Sequence, residues 1–203
     1  YGAVAIGGSA ENTANAFAVA TSLNTVAGFA AVLELVVTDV DGFRDSVEFV
    51  RTIGVSSPTS PTGPDAYGYY AFDDAETQPA GVATQYDWQD ISVIGANIGF
   101  NDQVEDGDDT AVRSLPFDFT FYGNTFDSVT ICSNGWLSFG NHGNMWDFRN
   151  WHIGSPLGPP NLVAAYWDDL ATTGGGVYYY YDALAQRFIV QWNVVTLWTS
   201  VPQ

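Results

Sequence analysis

The sequence has no lysine, one cysteine and one methionine, and its 203 residues include only five arginines and two histidines. Basic side chains neutralise phosphate charge, so a formal net charge of −18 argues against a nucleic-acid partner. It argues equally against an anionic membrane surface. Cys132 has no second cysteine to pair with, which excludes an intrachain disulfide. No apolar run has the length of a membrane span, which excludes insertion as a helix, and no signal peptide stands at Tyr1. The chain therefore reads as mature or partial sequence, and apolar runs close to both ends suggest that each end cuts through a fold.

What is present is a folding sequence. Hydrophobic residues make up 46% and aromatics 15%, enough to build a core. The 21 glycines and 9 prolines are scattered among short apolar runs, which suits many strands and turns. The acid excess has two physical explanations. One is solubility outside the cell in a salty medium. The other is calcium, whose hard oxygen ligands are carboxylates and carbonyls.

The best-specified stretch is 115–140. Leu115, Phe117, Phe119 and Phe121 alternate with Pro116, Asp118, Thr120 and Tyr122, the period of a strand with one buried face. Tyr122-Gly123-Asn124 breaks the run and Val129–Ser133 resumes it. Asn134-Gly135 tolerates positive φ at both positions of a type I′ turn. That turn predicts Trp136–Phe139 returning antiparallel, with Ser133 opposite Trp136, Cys132 opposite Leu137 and Thr130 opposite Phe139.

The remaining chain divides by composition. Residues 1–54 contain Phe29–Thr38 and Phe43–Thr52, β-rich runs joined by Asp39-Val-Asp-Gly42. Ala14–Ala20 is a short apolar stretch, and Ala10–Ala20 permits a helix, although a strand is preferred. This unit reads as the C-terminal part of an Ig-like β-sandwich. Residues 55–66 carry Pro58, Pro61 and Pro64 and read as an extended linker. Residues 67–203 read as a second β-sandwich unit. It has strands expected at Tyr67–Phe72, from Tyr86 to Ile94, at Leu162–Leu170, at Val177–Tyr181 and at Arg187–Val195. The fold class is thus all-β, with two units joined by a Pro-rich linker.

Candidate chemistry sits in loops. Asp102, Glu105, Asp106, Asp108 and Asp109 form the densest carboxylate cluster, around Gly107. The spacing is that of a calcium-wrapping or a solvated loop, not of an EF-hand. Asp168 is a further candidate calcium ligand, and Asp39, Asp41 and Asp45 are a weaker second group. Adjacent Asp168 and Asp169 on a strand would point to opposite faces and so cannot act together as a glycosidase pair. Cys132 with His142 or His152 as base would be a nucleophile, but the hairpin sets it among apolar side chains, as a small buried hydrophobe. Two histidines without further ligands at metal spacing do not make a zinc site. In the 141–152 loop, Trp146 and Trp151 with Asn141 and Asn144 suit stacking on a sugar face, as does Tyr178. Packing is the competing use of such rings.

Ser60-Pro-Thr-Gly-Pro-Asp-Ala-Tyr-Gly-Tyr-Tyr-Ala-Phe-Asp73, Leu115–Gly123, Ile131–Gly140, Ser155-Pro-Leu-Gly-Pro-Pro160 and Tyr166-Trp-Asp-Asp-Leu170 occur in that order. In this the chain resembles a β-sandwich accessory module of large secreted bacterial surface proteins, often attached to gingipain-like cysteine peptidases. The first unit resembles the end of the Ig-like module that often precedes it. The plan of a phenylalanine-rich strand, Asn-Gly-Trp and Trp-Asp also resembles nidogen-type extracellular domains, more loosely. The resemblance implies a non-catalytic module on the bacterial cell surface, in adhesion, binding or surface assembly. Its partners would be other domains of the same polypeptide, a glycan or protein ligand, or further copies of itself. Two alternatives are an accessory segment of a secreted hydrolase, peptidase or glycan-active, and a structural subunit of an extracellular fibre or layer. Apart from Ca2+, no cofactor is expected.

Overall fold

The computed structural model describes residues 4–11, 13–79, 81–104 and 107–198. No helix occurs among them, so none is long and apolar enough to cross a membrane. The chain divides into two units, Tyr1–Asp87 and Trp88–Gln203. The boundary falls after Asp87, and the 55–66 stretch lies inside the first unit. There it folds back locally instead of running extended. Thr62 and Ala71 exchange backbone hydrogen bonds of 3.0 and 2.8 Å, and the Asp65 carboxylate accepts from the Tyr67 and Tyr69 amides. Tyr67–Phe72 consequently contributes one isolated bridge and no strand.

In the first unit β1 (Phe29–Thr38) pairs antiparallel with β2 (Arg44–Ile53), in unbroken register from Phe29 opposite Ile53 to Thr38 opposite Arg44. Asp39 closes the connection: its Oδ1 accepts from the Asp41 and Phe43 amides at 2.9 and 2.8 Å. Its carboxylate thus acts as a turn former. Ala14–Ala20 forms no strand, for it has no ladder partner and Phe17 and Val19 are exposed.

The second unit is the sandwich. Its strands are β3 (Ala96–Asn97), β4 (Thr110–Phe121), β5 (Asn124–Cys132), β6 (Trp136–Phe139), β7 (Leu162–Ala164), β8 (Leu170–Ala171), β9 (Gly176–Asp182), β10 (Arg187–Asn193) and β11 (Thr196–Leu197). One sheet has the order β4-β5-β6-β7, a second β10-β9-β3, and β11-β8 form a short pair. Leu115, Phe121, Phe126, Val129, Ile131, Leu137 and Phe139 of the four-stranded sheet pack into one core. Val177, Tyr179, Phe188, Val190 and Trp192 come from the facing sheet. Phe139 is the hub. Its ring lies 4.6 Å from that of Phe119, 4.9 Å from Phe121 and 5.8 Å from Phe126. A register shift in β4 between Ser114 and Phe119 surrounds Pro116, which has no N–H to give a ladder.

Two details of the central hairpins differ from the sequence reading. Tyr122-Gly123, with φ of 46° and 78°, is itself the two-residue turn between β4 and β5, so pairing resumes at Asn124 rather than Val129. The next loop is longer than Asn134-Gly135. Ile131 stands opposite Leu137, Thr130 opposite Ser138 and Val129 opposite Phe139, one residue out of the expected register. Only Gly135 has positive φ, 77°, as in a three-residue loop ending on a left-handed glycine. The slip puts Cys132 and Trp136 on one face and Ile131 and Leu137 on the other. The hairpin is buried on both.

The run Leu162–Leu170 is likewise two strands in different sheets. After Ala164 the Gly135 carbonyl accepts from both the Ala165 and Tyr166 amides, each at 3.1 Å, which ends the ladder. Tyr86 to Ile94 is not a strand either. Its Asp90–Ile91 part meets β10, with the Ile91 amide donating to the buried Gln191 side chain at 2.7 Å and that side chain donating to Asp90.

Candidate functional site

The outer face of the central hairpin is covered by the 141–168 segment, and the anchor is Asp147. The indole N–H groups of Trp136 and Trp167 both donate to its backbone carbonyl, each at 3.0 Å. That of Trp151 donates to its carboxylate at 2.8 Å, and the Arg149 amide to the other carboxylate oxygen at 3.0 Å. Trp136 is fully buried and packs with Cys132, Trp167, Met145, Trp151, Leu162 and Ala164. Burying an indole removes roughly 150–250 Å² from water, worth about 4–6 kcal/mol at ~25 cal/mol/Å². Leaving its N–H unpaired would cost about 1–3 kcal/mol of that. One aspartate removes this cost for three tryptophans.

Of the expected ligand-binding residues, Trp151 therefore belongs to this packed plug. Trp146 does not, and its side chain is 54% exposed. Asn141 and Asn144 are exposed beside it in sequence, Asn141 accepting from the Gly143 amide. Tyr178 is half-buried on β9, opposite Gln191 and Asn97, in the other sheet. The loop has a fixed base. The Thr130 hydroxyl donates to the Gly140 carbonyl at 2.8 Å and accepts from the His142 amide at 2.8 Å, while Ser138 donates to the Pro160 carbonyl.

The second feature surrounds the Ser133-Asn134 turn. Asn134 is buried; its amide donates to Asp108 at 2.7 Å and its Oδ1 accepts from the Leu170 amide at 2.9 Å. The Ser133 amide donates to the Asp109 carbonyl and its hydroxyl accepts from the Asp109 amide. The Asp102 carbonyl accepts from the Thr172 amide and hydroxyl. These bonds bring the acidic loop and the chain after Trp167 to one turn. Asp102 is only 3% exposed, and among the described residues its Oδ2 has no hydrogen-bond partner. Burial raises its carboxyl above the ordinary range. The Ser133 hydroxyl pulls it down, and Asp108, Asp169 and Asp109 push it up. Asp169 is raised by burial first, then by Asp108 and Asp168.

The expected calcium residues are thus distributed. Asp102 and Asp108 come together, and Asp109 stands at the rim. Asp168 caps its own turn by accepting from the Asp169 amide at 2.9 Å. Glu105 and Asp106 lie outside the described residues. Asp169, not chosen from the sequence, joins the cluster; the adjacent pair signalled that one of the two would face inward, but not which. Among the described residues no three His, Cys, Asp or Glu side chains close around a single point as a metal cage. Asp39 and Asp45 hold local backbone amides.

Cys132 is fully buried between Trp136 and Trp167, and burial pushes its thiol far above the ordinary range. Its carbonyl accepts from the Trp192 indole at 2.8 Å. His142 Nε2 lies 3.2 Å from the Phe139 carbonyl and His152 is exposed, so neither is held as a base for a nucleophile.

A family model described as NIDO related matches residues 80–202, well over half of the chain and nearly the whole sandwich unit. The chain belongs to the NIDO-related family. The match lies on the nidogen-type side of the resemblance, and nidogen-like domains are typically extracellular. The likeness to modules of gingipain-like peptidases remains an expectation. No curated protein matches the chain. No solved structure matches it either. In the NIDO-related unit the hairpin β5–β6, the tryptophan plug and the acidic cluster all fall inside the matched residues.

Proposed function

We propose that this chain is a non-catalytic module of a secreted bacterial surface protein, and that its NIDO-related unit binds a glycan or protein ligand through the 141–152 loop. The observation that carries the reading is the contrast within that loop. Asp147 pins Trp136, Trp151 and Trp167 into a packed base, while Trp146 next to it presents its indole to solvent. An aromatic ring on an anchored loop offers contact area at low entropic cost, and loops carried by sandwiches are common sites of binding. The thiol and imidazoles that could have served catalysis face packing, backbone or solvent, which supports the non-catalytic part.

The test is binding of the purified chain to a panel of soluble glycans and extracellular proteins, alongside Trp146→Ala. The variant should lose at least about tenfold in affinity, about 1.4 kcal/mol, with an unchanged melting temperature. Wild-type binding that Trp146→Ala leaves intact would place the ligand elsewhere. Peptidase activity that disappears in Cys132→Ser would refute the non-catalytic reading.

A further inference from the structure

We propose that Asp102, Asp108 and Asp169 form the seat of a hydrated divalent cation at the Ser133-Asn134 turn. Two segments distant in sequence, the acidic loop and the chain after Trp167, deliver these carboxylates to one place, and the turn holds Asp108 directly. Asn134 bonds Asp108 through its amide and the Leu170 backbone, next to Asp169, through its carbonyl oxygen. Thr172 fastens the Asp102 backbone.

The independent observation is the Asp102 side chain. It is almost wholly withdrawn from water, yet its Oδ2 has no donor among the described residues. Buried carboxylate oxygens are ordinarily satisfied, because an isolated buried charge costs several kcal/mol. Here the nearby ionisable groups that act on it are acids: Asp108, Asp169 and Asp109. Among the described residues no arginine acts on it to supply the missing positive charge, and the chain has no lysine at all. A divalent cation supplies it with the hard-oxygen chemistry that carboxylates prefer.

The carboxylates do not close into a cage, and this sets the form of the complex. The ion keeps much of its water, with at most two carboxylates touching it and the rest reached through bound water. Magnesium binds in this way habitually, and calcium accepts waters among its six to eight oxygens. The seat is narrower than the acidic loop as a whole. It excludes Asp168, which is engaged with its own backbone, and needs neither Glu105 nor Asp106.

The experiment is titration calorimetry of the chelator-treated full chain with CaCl2 and, separately, MgCl2, at constant ionic strength. It includes Asp102→Asn, Asp108→Asn and Asp169→Asn, with Asp127→Asn on β5 as control. The expected result is one ion per seat, affinity reduced at least about tenfold, about 1.4 kcal/mol, in each of the three variants, and no change in the control. Asn keeps the shape of Asp, and near-ultraviolet circular dichroism checks that each variant folds. Asp102→Asn gives a second reading: without metal it should melt higher than wild type, and added cation should no longer raise it. No heat and no melting shift with either ion in wild type would overturn the proposal. So would binding that all three substitutions leave intact.

Discussion

Replacing Gly135 by alanine should destabilise the sandwich far more than replacing Gly99, although both have positive φ, 77° and 86°. For an L-residue the left-handed region costs roughly 1–2 kcal/mol, and both variants incur that. They differ in their surroundings. Nothing lies within 4 Å of a Cβ built on Gly99, whereas one on Gly135 would overlap the Tyr166 carbonyl oxygen. That carbonyl belongs to backbone and cannot rotate away. Relief requires the 165–166 segment to move, breaking the two 3.1 Å bonds from Ala165 and Tyr166 to the Gly135 carbonyl. Each is worth about 0.5–1.5 kcal/mol. Gly135→Ala should therefore cost about 2–5 kcal/mol, against about 1–2 for Gly99→Ala. All seven tryptophans lie from Trp88 onward, so their fluorescence in urea reports the second unit alone. The midpoint should fall with an unchanged slope. If the two variants agree within about 0.5 kcal/mol, the close approach of β6 to the chain after β7 is wrong, and so is the three-residue loop.

Two further outcomes follow from buried and held groups. Cys132 should resist thiol reagents in the native protein and react at the rate of a free thiol only in denaturant, since burial suppresses its thiolate; fast native labelling would contradict the packing against Trp136 and Trp167. The Asp90 carboxyl is held below its ordinary range by the Ser92 amide, the Gln191 side chain and the Ser92 hydroxyl. A depressed carboxylate stabilises above its unfolded pKa, and that contribution is lost as pH falls through the folded value. Asp90→Asn should thus lower the melting temperature at neutral pH and converge on wild type in acid, and a difference independent of pH would show that the charge is not what matters.

The all-β class was legible because period-two alternation at Leu115–Phe121 leaves no helical reading. The hairpins β1–β2 and β9–β10 were legible because turn residues bracket β-rich runs of matching length. Each of these signals is local. The expected strands at Ala14–Ala20 and Tyr67–Phe72 had similar composition but form no ladder, the second reaching only the single bridge between Ala71 and Thr62, and a strand exists only through its ladder. Composition likewise marked residues 55–66 as extended, while the Asp65 and Thr62 hydrogen bonds folded them back.

The sequence alone determined that a turn occurs at Asn134-Gly135, that acids gather at 101–110, and that tryptophans are concentrated around 141–168. Tertiary structure decided what each of these does. The loop is one residue longer than its dipeptide suggests, in a site where the Asn134 side chain is held between Asp108 and the Leu170 amide. That one residue moved Cys132 from beside Leu137 to beside Trp136, because side chains in a strand change face at every step. Asp169 rather than Asp168 entered the cluster, while the Asp168 carboxylate turns back to accept from the Asp169 amide. Asp147 gathers three indoles from different parts of the chain. No local pattern records such a convergence, because its energy arises only when burial removes water as the competing hydrogen-bond partner.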